Sequence, residues 1–376
     1  MELQVDRTKE YGLVLEGGGA KGAYQIGAWR ALREAGIPVK GVAGASVGAL
    51  NGALICMDDL ERAEYIWENI SYSKVMDVDD GVMEGVRSRD LKSVDMKLLT
   101  EEVRRFLHDR GFDITPLKEL IGETVDEERL RRSGRELYIT TYSLSDRQLL
   151  SVSLRDIQPG AVGDMLMASA YLPVFKREKL GGRKYLDGGG WNNVPLDVLL
   201  DHGYRDIIVI RIYGLGFDSE KVTEIPEDAD VRHIAPRQDL GGLLEFEKKR
   251  VRKNMKLGYY DGLRFLYGLK GRWYYLDAPE DEAWYLDRLV RETRLWRDQL
   301  PPELQAVLEE GEQEIPGYRY YMEVLYPMMA GYWKLKPGWD YKELYLTLLE
   351  QAARRRRINR FRVYTAKELK EKLRLA

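Results

Sequence analysis

The chain has 376 residues, 44% of them hydrophobic and 32% charged, with a net charge of −3. That is a globular composition, and at about 150 residues per domain it predicts one large domain and a smaller one. Cys56 is the only cysteine, which excludes an intramolecular disulfide and a multi-cysteine zinc site, and the near-neutral charge gives no sign of a nucleic-acid partner.

No apolar run approaches the roughly 18 residues needed to span a bilayer. Met1 to Glu10 is charged, and the apolar stretch after it runs into three glycines, which does not fit a secretory signal peptide. The expected location is the cytoplasm. The first half alternates strand and helix. Tyr11 to Leu15 is a short apolar run stopped by Glu16 and the glycines, a buried strand and a tight turn. Ala23 to Ala35 has helical spacing and a Gly36 stop. Val39 to Ala43 is a second strand, and Val47 to Met57 a helix apolar all round. Strand, helix, strand, helix implies a parallel sheet with crossover helices.

Leu137 to Tyr142 and Leu149 to Val152 read as strands joined by a turn at Ser145–Asp146. Ala161 to Leu172 reads as a helix, and Lys184 to Leu186 as a short strand ending in Asp187 and three glycines. Asp206 to Arg211 is a buried strand. Phe217 to Asp230, with six acidic residues and one lysine, reads as a solvated loop. Val231 to Ala235 is a last strand, and Glu245 to Tyr267 a helix interrupted at Gly258. Beyond about Gly271 helical patterns dominate, and aromatics concentrate between Tyr259 and Tyr345. The expected division is a domain over 1–270 and a helical, aromatic-rich extension over 271–376. Residues 354–376 carry a net charge of +8, leaving about −11 on the rest. A basic tail on an acidic body suits peripheral contact with an anionic membrane surface.

Three glycine-rich turns carry the chemistry. Gly44-Ala45-Ser46-Val47-Gly48 lies between a strand and a helix and fits a nucleophile elbow, in which a sharp turn lifts the serine hydroxyl clear of the sheet. A serine N-cap is the alternative. Gly17-Gly18-Gly19-Ala20-Lys21-Gly22 contains Gly-x-Gly-x-x-Gly. Dinucleotide binding would need an acidic residue at the end of the second strand. Val39 to Gly48 has none, and no Gly-Lys-Ser/Thr follows for a P-loop. Bare backbone N–H groups converging on an oxyanion are the better fit, with a ligand-free turn as the alternative. Lys21 adds positive charge or pairs with a carboxylate. The third turn is Asp187-Gly188-Gly189. Asp187 either takes the serine proton, its basicity raised by burial, or merely forms a turn. Among His108, His202 and His233 none has a catalytic setting, although chain order leaves a triad through His202 or His233 open.

The three turns in this order, with Tyr185 to Leu196 around the aspartate and Gly258-Tyr259-Tyr260-Asp261 further on, resemble the patatin-like phospholipases over about residues 10–268. That resemblance implies an α/β, three-layer domain with a mainly parallel sheet flanked by helices, plus the C-terminal helical module. It implies a Ser–Asp dyad of Ser46 as nucleophile and Asp187 as base. Gly17, Gly18 and Gly19 become oxyanion donors, with Gly18 and Gly19 the leading pair. Lys21, Gly22, Gly44, Gly48, Gly188 and Gly189 support the site. No metal or cofactor is implied, and the substrates are phospholipids, lysophospholipids or acyl glycerols. Glu16 departs from plant members, which carry Asp there. A non-catalytic lipid-binding or scaffolding protein on this fold is the rival, but it would need neither the serine nor the aspartate.

Overall fold

The central apolar runs become strands, because Tyr11–Leu15 and Asp206–Ile210 are buried on both faces and only a paired strand satisfies their backbone there. The computed structural model describes residues 1–88, 104, 108, 111–314 and 318–373. The strands are β1 (Tyr11–Leu15), β2 (Val39–Ala45), β3 (Glu136–Ser143), β4 (Gln148–Ser153), β5 (Tyr185–Asp187), β6 (Asp206–Ile210) and β7 (Asp230–Ile234). They form one seven-stranded sheet, ordered β4-β3-β2-β1-β6-β7, with β5 also beside β3. The four central pairings are parallel, and β4 and β5 run antiparallel to β3.

Alternation along the strands builds two cores. Val14, Ala43, Tyr138 and Val209 pack with Leu196 and Leu199 on one face. Leu15, Val42 and Leu137 meet Gly52 on the other. Helices therefore cover both faces: α1 (Ala23–Glu34), α2 (Val47–Cys56), α3 (Leu60–Glu68), α4 (Asp80–Ser88), α5 (Thr115–Thr124), α6 (Glu127–Arg132), α7 (Val162–Ser169), α8 (Leu196–Asp201) and α9 (Lys248–Tyr267). The result is a three-layer α/β architecture with a mainly parallel sheet.

Two helices differ from expectation. α9 runs unbroken through Gly258, where a Cβ would meet the Tyr24 carbonyl oxygen at 1.9 Å; at Gly27 one would meet the Met255 carbonyl oxygen at 1.9 Å. These glycines let α1 and α9 cross backbone against backbone. α7 stops at Ser169, short of Leu172, because the Tyr171 carbonyl leaves the helix to accept the Asp187 N–H at 2.8 Å.

This sheet unit spans Val5–Leu266, and Met1–Gln4 with Tyr267–Ala376 forms a second unit. The core of the second unit includes Tyr285, Trp296, Tyr326, Tyr345 and Tyr364, which accounts for much of the aromatic enrichment. It also holds a two-stranded parallel sheet, β8 (Tyr275–Asp277) with β9 (Val363–Thr365), which helical patterning hides. The basic segment is not one helix. α10 (Tyr341–Arg355) ends before Arg356, and the chain loops through Arg360 and Arg362 into β9. Some of its charge is used within the unit: Arg354 lies 4.1 Å over the Trp273 ring, and Arg356 donates to the Leu373 carbonyl. No helix among the described residues is long and apolar enough to cross a membrane.

Candidate active site

Ser46 joins β2 to α2 with φ 55° and ψ −128°. Such a backbone is costly for a residue with a Cβ and persists only where the surroundings enforce it. Here they do. A Cβ at Gly44 would lie 2.4 Å from the Gly48 carbonyl carbon, and one at Gly48 would lie 2.2 Å from the Leu15 carbonyl oxygen. The strand end and the first helical turn thus pass closer than any side chain allows. The Ser46 side chain makes no capping bond to α2, so the N-cap explanation of this serine does not apply. Its N–H donates to Ser169 Oγ at 2.9 Å, and that hydroxyl donates to the Thr140 carbonyl at 2.6 Å.

Asp187 reaches Ser46 through the sheet. On one side of β3, Ala45 is paired with Thr140 and β2 then ends. On that same side Asp187 is paired with Thr141, the next residue, because β4 occupies the other side throughout. β5 therefore continues the edge that β2 vacates, and the residue after Ala45 faces the end of β5. Burial pushes the Asp187 carboxyl up to about 6, against hydrogen bonds from the Ser46 side chain and the Gly189 N–H that pull it down. Oδ1 accepts the Gly189 N–H at 2.8 Å. The turn-forming role of this aspartate is thus real, but it uses Oδ1 and not Oδ2. A Cβ at Gly188 would strike the Thr140 carbonyl oxygen at 2.4 Å, and one at Gly189 the Asn193 Oδ1 at 2.4 Å.

The first glycine turn lies against the same end of the sheet. The Gly17 N–H is committed to the Asn193 carbonyl at 3.1 Å, and Asn193 Nδ2 donates to the Gly17 carbonyl at 3.2 Å. The N–H groups of Gly18 and Gly19 have no acceptor among the described residues. Glu16, before them, is buried; its carboxylate takes the N–H groups of Ile212, Tyr213 and Gly214 at 2.6, 2.9 and 3.1 Å and the Arg211 guanidinium at 3.1 Å. Burial pulls Arg211 down, but Asp218, Glu16 and Glu220 together hold it above its ordinary value. Asp218 and Glu220 are therefore tied inward and not solvated as the loop reading expected. Lys21 Nζ donates to the Tyr213 carbonyl at 2.6 Å, making it a brace for that segment. Gly22 packs where a Cβ would meet Val47 Cγ2 at 2.5 Å.

Two cavities meet at Ser46. One, the channel, is lined by Val47, Leu50 and Leu54 on α2 and by apolar residues facing them. Among the described residues its lining has no charged one, and Asn51 within it is satisfied by Gly22, Gln25 and Trp67. The other, the mouth, is lined by Gly18, Asp187, Trp191, Asn193 and Leu215. The histidines stand apart from both. His202 is exposed at the end of α8, with Nδ1 on the Val198 carbonyl at 2.7 Å, and His233 pairs with Glu220. His108 is exposed. Sequence reasoning missed Ser169, Asn193 and Arg211, whose signals are ordinary polar residues far along the chain.

The chain is 31% identical over 206 residues to the neuropathy target esterase sws of Drosophila melanogaster, covering 54% of this chain and 13% of that protein. It is 31% identical over 209 residues to the patatin-like phospholipase domain-containing protein ZK370.4 of Caenorhabditis elegans, again 54% of this chain and 13% of that protein. This chain thus matches only a small part of each relative's length. The crystal structure of VipD from Legionella pneumophila aligns with a TM-score of 0.43 at 13% identity, covering 90% of each chain. The family model of the patatin-like phospholipases matches residues 13–200, half of the chain, from the first strand through the serine turn to the aspartate turn, and the chain belongs to that family.

Proposed function

We propose that this protein is a serine acyl hydrolase that cleaves carboxylic esters of lipids. The observation that carries the reading is the junction at Ser46: a strained serine, uncapped and beside a carboxyl of raised pKa, stands where an apolar channel meets a second cavity that Asp187 lines. A single hydrocarbon chain suits the channel, since burying each CH₂ there is worth about 0.8 kcal/mol and no charged group among the described residues lines it. The alcohol side of the ester then faces the mouth.

In this mechanism Ser46 Oγ attacks the acyl carbon and its proton passes to Asp187. A carboxylate near pKa 6 is a better base than an exposed one at about 3.9. The Gly18 and Gly19 N–H groups receive the oxyanion, while Gly17 holds the turn to Asn193. Collapse expels the alcohol, which takes the proton from Asp187. Water then attacks the acyl-serine while Asp187 accepts its proton; as that intermediate collapses, Asp187 returns the proton to the departing Ser46 Oγ and the free acid leaves. In this reading residues 1–270 form the catalytic domain and 271–376 an appended module. A fluorophosphonate probe tests the reading: it should label the wild type and not Ser46→Ala, and a panel of phospholipids, lysophospholipids and acyl glycerols should be hydrolysed by the wild type alone. An unlabelled wild type would overturn it.

A further inference from the structure

The mouth beside Ser46 has an unusual rim. Residues 213–217 read Tyr-Gly-Leu-Gly-Phe, and Tyr213, Leu215 and Phe217 are 57%, 78% and 50% exposed. Trp191, which lines the mouth with Leu215, is 42% exposed. Scattered exposed apolar residues mean little, but several around one opening mark a contact surface.

This segment is held outward and not left loose. Three successive N–H groups, of Ile212, Tyr213 and Gly214, are fixed on the buried Glu16 carboxylate. Lys21 Nζ holds the Tyr213 carbonyl at 2.6 Å, and the Phe217 N–H donates to the Gly189 carbonyl at 2.9 Å. Tyr213 itself sits at φ 49°, a strained conformation for a bulky residue. Trp191 stacks on Tyr142 with ring centroids 3.8 Å apart. The fold thus spends a buried ion pair and backbone strain on presenting apolar side chains to water.

We propose that Tyr213, Leu215, Phe217 and Trp191 form the surface by which the protein docks on a neutral, zwitterionic lipid–water interface. The inference rests on the acyl hydrolase reading, because a lipid leaving a membrane must enter through the mouth that Trp191 and Leu215 line and beside which Tyr213 and Phe217 stand in the same segment. A protein seated there would cover the site. Charge selects the kind of membrane. Asp218 and Glu220 are paired with Arg211, Asp228 with Arg205 and Asp230 with Arg232, so the negative charge this stretch turns to water is that of the exposed Glu224 and Glu227, which disfavours an anionic leaflet. Docking is driven by apolar insertion and is therefore insensitive to salt. This differs from the electrostatic contact that the basic C-terminal segment suggests.

The test is sedimentation of the full chain with phosphatidylcholine vesicles, with and without added phosphatidylserine, over a range of salt. Wild type should bind phosphatidylcholine, unaffected by salt and not strengthened by phosphatidylserine. The double variant Tyr213→Asn with Phe217→Ser should lose about tenfold or more of that binding, while hydrolysis of a soluble short-chain ester stays unchanged; Asn tolerates the left-handed backbone at 213. A second readout does not depend on that variant folding: bromine-labelled phosphatidylcholine should quench part of the wild-type tryptophan fluorescence, and Trp191→Phe should remove that part. Undiminished binding by the double variant, binding that requires phosphatidylserine and vanishes with salt, or a self-associated chain that the double variant dissociates without any vesicle binding would each overturn the proposal. Ser46→Ala is sedimented alongside: if it docks like the wild type while the wild type hydrolyses no ester, the enzymatic reading falls and the docking surface stands.

Discussion

Ser169 Oγ accepts the Ser46 N–H at 2.9 Å and donates to the Thr140 carbonyl at 2.6 Å, so one hydroxyl ties the strained serine turn to β3. Ser169→Ala leaves a buried N–H without its partner, a loss of about 1–3 kcal/mol. Ser169 is a positioning residue, and the expected result is a fall in kcat with KM little changed. Thermal unfolding and steady-state kinetics check it; Ser169→Thr, which keeps the hydroxyl, should restore part of the rate. A fall in stability with kcat intact would make Ser169 purely structural.

Asp187 sets the pH dependence. Its carboxyl titrates near 6 because burial disfavours the charged form. Activity should rise with pH through about 6 and level off above it, since the base must be ionised. Stability should move the other way. The folded protein holds this proton more tightly than the unfolded chain, whose carboxyl titrates near 3.9. Stability therefore falls as pH rises from about 4 to 6, by up to about 3 kcal/mol. Asp187→Asn should be inactive, yet more stable than wild type at pH 8, with the difference shrinking at pH 4. Denaturant titrations at both pH values decide this.

The two oxyanion candidates should differ in their structural cost. A Cβ at Gly18 meets the flexible Ile212 Cδ1 at 2.8 Å, whereas at Gly19, with φ 54°, it meets the Leu243 carbonyl oxygen at 2.2 Å. Gly18→Ala should fold and lose about 10²–10³-fold in kcat, the scale of one oxyanion donor. Gly19→Ala should lose activity and also melting temperature. A main effect of Gly18→Ala on KM would mean that the turn binds ligand without stabilising the transition state.

The channel predicts chain-length selectivity. Leu54 lies about 12 Å along α2 from Ser46, at 1.5 Å per residue, and lines the channel. Leu54→Trp should block its deeper part, at a packing cost of about 1–3 kcal/mol. Hydrolysis of acetyl and butyryl esters should persist, while kcat/KM for palmitoyl esters should fall about tenfold or more. Equal losses for short and long chains would remove the channel from the acyl side.

Histidine variants separate a dyad from a triad. His202 and His233 are engaged with Val198 and Glu220, and neither lines a cavity at Ser46. His202→Ala and His233→Ala should keep most of the activity. A loss of several orders of magnitude in either would make that histidine the base.

By itself the sequence did not reveal β8 and β9 or the helices α3 to α6, but it determined the seven strands of the main sheet, the helices α1, α2, α7 and α9, and the three glycine turns. Local pattern suffices there: an apolar run of five residues such as Tyr11–Leu15 can bury both faces only as a strand, and close backbone approach at Gly44 and Gly48 admits only glycine. It also showed that Ser46 and Asp187 belong at strand ends. Their meeting was decided by the tertiary structure, because it depends on β5 taking the edge of β3 that β2 leaves, a choice of pairing between segments about 140 residues apart. The same holds for Ser169 on Ser46, for Asn193 on Gly17 and for Glu16 with Arg211, where polar residues find partners that no local spacing announces. Gly258 and the acidic loop were misjudged for a related reason. A glycine inside a helix and a run of carboxylates have ordinary local meanings, and only the neighbouring α1 backbone and the buried Arg211 gave them others.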